Sequence, residues 1–172
     1  MEDKEYFHIR PAGTEDLETL MRIYGHAKEF MARHGNPEQW TGGYPSEKLI
    51  ESEIEAGHSF VCETADGKIA GTFCFITGED PTYQVIEHGR WLADGPYGTI
   101  HGLASAGIAH GVAEACMEWC WQRMPNLRAD THSDNAIMQK ILEKAGFTRC
   151  GIIYTDNGSP RIAYQRITGA VL

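Results

Sequence analysis

No apolar run in the chain approaches the roughly 20 residues that cross a bilayer as a helix, so no helical membrane span is expected. Basic charge is scarce as well: 15 Lys and Arg face 24 Asp and Glu, a formal net charge of −9. The imbalance sits at the front, where residues 1–66 hold 14 acids and 6 bases, against 10 and 9 in residues 67–172. An acidic front half repels a phosphate backbone, so nucleic acid is not an expected partner. It either steers a cationic small molecule or serves only as a solvated, solubilising face. Five cysteines, Cys62, Cys74, Cys116, Cys120 and Cys150, are an odd number without disulfide-framework or zinc-ribbon spacing. They read as reduced thiols. The acidic, then strand-like opening MEDKEYFHIRPAG does not have the pattern of a secretory leader, and a cytoplasmic location is the expectation.

Several catalytic signatures are also missing. There is no Gly-x-Ser-x-Gly elbow, no Gly-x-Gly-x-x-Gly fingerprint and no Gly-Lys-Ser/Thr closing a nucleotide loop. Cys116 and Cys120 lie four apart on one helical face beside Trp119 and Trp121, a core pattern rather than a metal or nucleophile pattern. His26 and His34, eight apart, have no cysteine or metal-motif glutamate to complete a site, so no metal is expected.

What is present is an ordinary globular balance, 42% hydrophobic and 23% charged, over 172 residues that suit one domain, 1–172. Tyr6–Arg10 reads as a strand ended by Pro11, and Thr14 as the cap of a helix with Leu17, Leu20, Met21, Tyr24, Ala27 and Met31 on its apolar face. His34–Pro37 stops that helix. A loop follows with two large aromatics, Trp40 and Tyr44, and Ser46 caps a second helix whose Leu49, Ile50 and Ile54 face inward. Ser59–Thr64 and Lys68–Thr77 form a hairpin through Asp66-Gly67. Gly78–Gly98 is ambiguous, with Tyr83–Glu87 legible as either a strand or a short helix. Thr99–Ser105 is a strand, Val112, Cys116, Trp119 and Cys120 mark a helix, and Leu127–Thr131 is a short strand. Ser133 or Asp134 caps a last helix that Gly146 ends, and strands Thr148–Tyr154 and Arg161–Arg166 close the chain. The order β-α-α-β-β-β-α-β-α-β-β implies an α/β (α+β) fold, one mixed sheet covered by helices.

Chemistry concentrates in Thr99–Ala113, TIHGLASAGIAHGVA: a strand, a loop with Gly107 and Gly111, then a helix. Glycines let backbone approach an anion, and the free N–H groups of a helix start point at it, so the segment suits a pyrophosphate. Alone it is weak evidence, because glycine at a strand-to-helix turn is more often only a matter of geometry.

A second segment, Asn135 through Lys144-Ala145-Gly146-Phe147, changes the weight of the first. Leu103-Ala104, Gly111-Val112-Ala113, the strand Leu127–Thr131 and Asn135…Lys144-Ala145-Gly146-Phe147 together resemble the core of the GNAT (GCN5-related N-acetyltransferase) superfamily. Ile9-Arg10-Pro11-Ala12 leading into Asp16-Leu17 is similar to the family's opening, and Gln39-Trp40 through Tyr44-Pro45 to a loop of one bacterial subset. The resemblance implies a mostly antiparallel sheet of about six to seven strands, splayed at the cofactor site under about four helices. It implies acetyl-CoA as acetyl donor, with its arm paired to backbone around Leu103, Ala104 and Ser105 and with Asn135 beside it. It implies that N–H groups of Gly107 through His110, Gly111, Val112 and Ala113 hold the pyrophosphate. It also allows a homodimer.

Two departures stand out. Ile108 occupies the position of a usual Gln or Arg phosphate contact, which leaves His110 either to take over that contact or simply to face solvent. Leu142 stands where many members place the tyrosine that reprotonates the CoA thiolate. His101, two residues before Leu103, is the candidate proton acceptor for an attacking amine; the alternative is a hydrogen-bonded strand histidine with no chemistry. His132 reads as a turn residue. Trp40, Tyr44 and Glu47 are candidate acceptor contacts, an aromatic wall with a carboxylate suited to an amine, or else a loop plug with glutamate in water. Protein N-terminus, polyamine, amino acid derivative and antibiotic all stay open as acceptors. The resulting expectation is direct N-acetyl transfer to a primary amine, with a non-catalytic acyl-CoA-binding module as the main rival.

Overall fold

The computed structural model describes residues 6–169. Seven strands, β1 (His8–Pro11), β2 (Ser59–Glu63), β3 (Ile69–Thr77), β4 (Gly98–Ser105), β5 (Asn126–Thr131), β6 (Thr148–Tyr154) and β7 (Pro160–Ile167), form one sheet in the order β1-β2-β3-β4-β5-β7-β6. Four helices cover it: α1 (Leu17–Arg33), α2 (Glu47–Glu55), α3 (Val112–Arg123) and α4 (Ala136–Lys144). This is the mixed sheet covered by helices that the element order implies, and the mostly antiparallel arrangement under four helices that the resemblance implies.

The helices divide between the two faces. On one, Phe73, Phe75, Ile100 and Leu127 bury against Val112, Cys116, Met117 and Cys120 of α3 and Leu142 of α4. On the other, Leu20, Ile23 and Tyr24 of α1 and Ile50 and Ile54 of α2 pack on Val61 and Ala104. Period-2 alternation along the strands and a 3.6-residue stripe along the helices make this partition.

Two local breaks shape the centre. β4 and β5 are the parallel pair, and they pair only at Gly98–Leu127 and Thr99–Arg128 before parting. Beyond Thr99 the edge of β4 toward β5 is therefore open. Within β4 the register against β3 slips between Cys74–His101 and Thr72–Ala104, leaving Gly102 and Leu103 without partners on β3. Gly102 takes φ +58°, a left-handed conformation natural to glycine. The slip reverses the alternation: Ile100 packs under α3, whereas Ala104, four residues on, packs under α1.

Three expectations are corrected. Thr14 does not cap α1; Thr14–Asp16 is a single 3-10 turn, and the Asp16 carboxylate takes the Gly13 N–H at 2.8 Å while Arg10 grips it. Neither Ser133 nor Asp134 caps α4; the Asn135 side chain does, accepting from the Met138 N–H at 3.0 Å. Tyr83–Glu87 is neither strand nor helix. A 3-10 turn spans Pro81–Tyr83, and Glu87 makes an isolated bridge to Ile152.

Candidate active site

The parting of β4 and β5 opens a cavity of about 490 Å³ at the middle of the sheet. On the face opposite α3, alternation from Thr99–Arg128 and Asp130–Ala163 lines up His101 of β4, Asp130 of β5 and Arg161 of β7, and all three line the cavity. Trp40 and Tyr44 from the loop after α1 and Glu53 from α2 form a wall. Met138 and Leu142 of α4 reach it from the other face.

His101 is paired. Its Nε2 lies 2.8 Å from Asp80 Oδ2, and its side chain is 31% exposed. The other Asp80 oxygen accepts from the Thr82 N–H at 2.9 Å and the Thr82 hydroxyl at 2.7 Å. Burial resists ionisation of Asp80, but the hydrogen bonds from His101 and Thr82 prevail and hold its pKa at about 2. Burial likewise opposes the imidazolium, yet the Asp80 hydrogen bond and the charges of Asp130, Asp80 and Glu53 raise the His101 pKa above its ordinary value. An ionised carboxylate on Nε2 requires the proton there, so Nδ1 carries the lone pair of the neutral ring.

Asp80 sits in the stretch that sequence leaves ambiguous, and packing gives it a fixed place. Its backbone N–H donates to the Tyr97 hydroxyl at 2.7 Å. Farther along, the Arg128 guanidinium lies 4.1 Å from the Trp91 ring and 4.0 Å from the Tyr97 ring, and it donates to the Ala93 carbonyl. Buried Gln165 accepts from the Leu92 N–H at 2.7 Å and donates to the same Ala93 carbonyl at 3.1 Å. Trp91 Nε1 donates to the Tyr83 carbonyl, and the Tyr83 hydroxyl to Asp130 at 2.7 Å.

The opposite side of the splay suits a phosphate. Gly107 and Gly111 both take φ +77°, Gly111 as the residue before α3. Among the described residues, no protein acceptor takes the N–H groups of Ile108, Ala109, His110, Gly111, Val112 or Ala113. Such free donors at a helix start fit the pyrophosphate of acetyl-CoA, and the open β4 edge at Leu103–Ser105 fits amides of its arm. Gly107 itself turns its N–H to the Ser105 hydroxyl, 3.1 Å away. His110 is exposed.

Asn135 does not line the cavity. Besides capping α4 it donates to Gln39 Oε1 at 3.0 Å. Gln39 in turn accepts from Asn36 at 2.8 Å and Thr131 at 3.3 Å, and its carbonyl takes Arg161 Nη2 at 2.7 Å. One glutamine thus fastens the loop carrying Trp40 and Tyr44 to β5, α4 and β7. Glu47 is exposed in the first turn of α2 and does not line the cavity; Glu53, two turns on, does. His132 is a turn residue, its Nδ1 taking the Asp134 N–H at 3.0 Å. Leu142, buried where an acid is usual, supplies no proton. Tyr24, missed as chemistry because it follows the apolar stripe of α1, brings a buried hydroxyl without a hydrogen-bond partner to the cavity. A Cβ at Gly102 would lie 3.1 Å from it.

A sheet that parts between free backbone N–H donors and a carboxylate–imidazole pair fits the class of acyl-group transferases. The chain belongs to the GNAT acetyltransferase family, whose domain model matches residues 7–148. An acetyltransferase of the GNAT family from Streptococcus agalactiae is 31% identical with a TM-score of 0.86, over 96% of this chain and 99% of that one. A GNAT-family acetyltransferase from Listeria monocytogenes is 20% identical with a TM-score of 0.67, over 93% and 94%. A putative phosphinothricin N-acetyltransferase is 18% identical with a TM-score of 0.61, over 94% and 98%, and shares the fold. No curated protein matches the chain. Family membership carries acetyltransferase activity and acetyl-CoA binding as features of the class.

Proposed function

We propose that this protein acetylates the primary amine of a small molecule by direct attack, without a covalent enzyme intermediate. The observation that carries the reading is the Asp80–His101 pair at the splay, on the face where Trp40, Tyr44 and the carboxylates gather. An ammonium entering there meets Glu53, Asp130 and the aromatic wall, which favour a cation. His101 Nδ1 takes one proton from it, directly or through a water, and the neutral amine can then attack the thioester carbonyl; the new C–N bond replaces the C–S bond, and the nitrogen's surplus proton leaves with the thiolate as free thiol. Asp80 stabilises the imidazolium and fixes the tautomer.

Acetyl-CoA, when bound, supplies an activated acyl group whose leaving thiolate needs a hydrogen-bond donor. Ile108 through Ala113 would hold its pyrophosphate, and backbone of Leu103, Ala104 and Ser105 its arm. Leu142 cannot serve the thiolate, but the Tyr24 hydroxyl can: burial, helped by Cys74, holds its pKa well above the ordinary tyrosine value, so it stays protonated. The absence of a tyrosine at Leu142 also favours the second reading, an acyl-CoA-binding module without turnover. Cytoplasmic location and a homodimer remain part of the proposal.

Thiol release from acetyl-CoA against a panel of amines tests it. We expect amine-dependent release that His101→Ala lowers by about 10²-fold or more with CoA binding retained. Binding of acetyl-CoA without release for any amine would establish the non-catalytic reading.

A further inference from the structure

Arg161 is the cation that the proposed chemistry leaves unused. It is 7% exposed, lies on the cavity face of β7, and pairs with no carboxylate among the described residues. Its Nη1 donates to the Ser159 hydroxyl and the Pro160 carbonyl, and its Nη2 to the Gln39 carbonyl at 2.7 Å. That commits three of five N–H donors. The N–H of Nε and the second N–H of Nη2 have no acceptor among the described residues, and these two atoms share the guanidinium edge that grips a carboxylate with two parallel bonds. Burial lowers its pKa, with Asp130 and Tyr44 pulling the other way, but a guanidinium keeps its charge. A buried cation with two free donors is costly unless something anionic completes it.

The rest of the cavity is acidic: Glu53, Asp80, Asp130 and Asp156 line it, with His101 as the other cationic group. A doubly charged polyamine would set one ammonium against Arg161. A simple monoamine would leave Arg161 unanswered. His101, Asp130 and Arg161 project on one face from β4, β5 and β7; β5 and β7 are paired, roughly 5 Å apart, whereas β4 has parted from β5 at His101, which widens the space between them. Side chains converging from β4 and β7 leave room for one small molecule between them, and 490 Å³ suits that size.

From this arrangement we infer that the acceptor is a small zwitterion, an amine bearing a carboxylate, with the carboxylate on Arg161 and the amine toward His101 Nδ1. The inference rests on the acetyl-transfer reading and names its substrate class. Asp130, between the two ends, attracts the ammonium and keeps the acceptor from binding reversed.

The test compares matched pairs: tyrosine with tyramine, lysine with cadaverine, and methionine with its methyl ester. Each is assayed for CoA release and for binding by calorimetry in the presence of CoA. The wild type is expected to favour the carboxylate member of at least one pair by about 10²-fold in kcat/KM. In Arg161→Gln that preference falls at least about tenfold, chiefly through KM, while Arg161→Lys restores part of it. Because Arg161 also holds Gln39, the readout is the ratio within a pair: a purely structural role lowers both members alike and leaves the ratio unchanged, which would overturn the inference. Equal or better use of tyramine, cadaverine or the ester by the wild type overturns it too, while leaving acetyl transfer intact. Acetylation confined to a protein amine does the same. If no amine is acetylated, the transfer reading fails, and calorimetry still decides whether the site takes a carboxylate-bearing amine.

Discussion

At His101 two effects oppose each other, and their sum sets the pH at which an amine can lose its proton. Burial favours the neutral ring, whereas Asp80, Asp130 and Glu53 favour the imidazolium and prevail. A base is active only when neutral, so kcat/KM should climb with pH through a value above the ordinary histidine range near 6.5. Asp80→Asn removes the paired charge, so the rise should move to lower pH while the maximal rate drops, as a pH–rate profile would show. An unmoved profile would mean that His101 is not the titrating base. Tyr24→Phe removes the one unpartnered hydroxyl on Gly102; we expect kcat to fall by about tenfold or more with little loss of stability, since no internal hydrogen bond is broken.

Between residue and fold, the two irregular connections do most to build the site. The loop after α1 is fastened by Gln39, through its side chain to Asn135 and Thr131 and through its carbonyl to Arg161. Gln39→Ala leaves the Asn135 amide short of an acceptor and should cost about 1–2 kcal/mol in denaturant unfolding. It should raise KM for the acceptor more than for acetyl-CoA, since Trp40 and Tyr44 ride on that loop. Gly111 enters α3 at φ +77° with open space around its Cα, so Gly111→Ala meets no clash, only backbone strain of about 1 kcal/mol. Its measurable effect should be weaker CoA binding in a titration, because the strained residue sits among the free N–H groups.

For the molecule as a whole, the Asp80–His101 pair gives stability a dependence on pH with two edges. The Asp80 pKa, about 2 when folded, is below the ordinary carboxylate value, so its contribution is complete above about 4 and vanishes as pH falls toward 2. That contribution is on the order of 2 kcal/mol at neutral pH. His101, raised on folding, contributes fully below its ordinary value and loses that contribution as pH rises through its folded one. Thermal melts of wild type and Asp80→Asn should therefore diverge between these edges and converge at low pH. Equal differences at every pH would assign the pair no linked role.

Sequence by itself determined the order and kind of the eleven helices and strands among the described residues, because each carries its own period, cap or turn: Ser46 opening α2, Asp66-Gly67 turning β2 into β3, Gly146 ending α4. It also marked the glycine loop and His101, since both belong to a contiguous strand–loop–helix stretch. What only the tertiary structure decided was the company these residues keep. Asp80, 21 positions from His101, reaches it from a connection with no periodic pattern, anchored through Trp91, Arg128 and Gln165. Arg161 looked like one more strand residue, and Glu47 was singled out on α2 where Glu53 is the carboxylate that lines the cavity. Helix and strand formation are governed by near neighbours in the chain, so their signal is local. A charge's partner is chosen by sheet register and by where two strands part, and no window of sequence contains both.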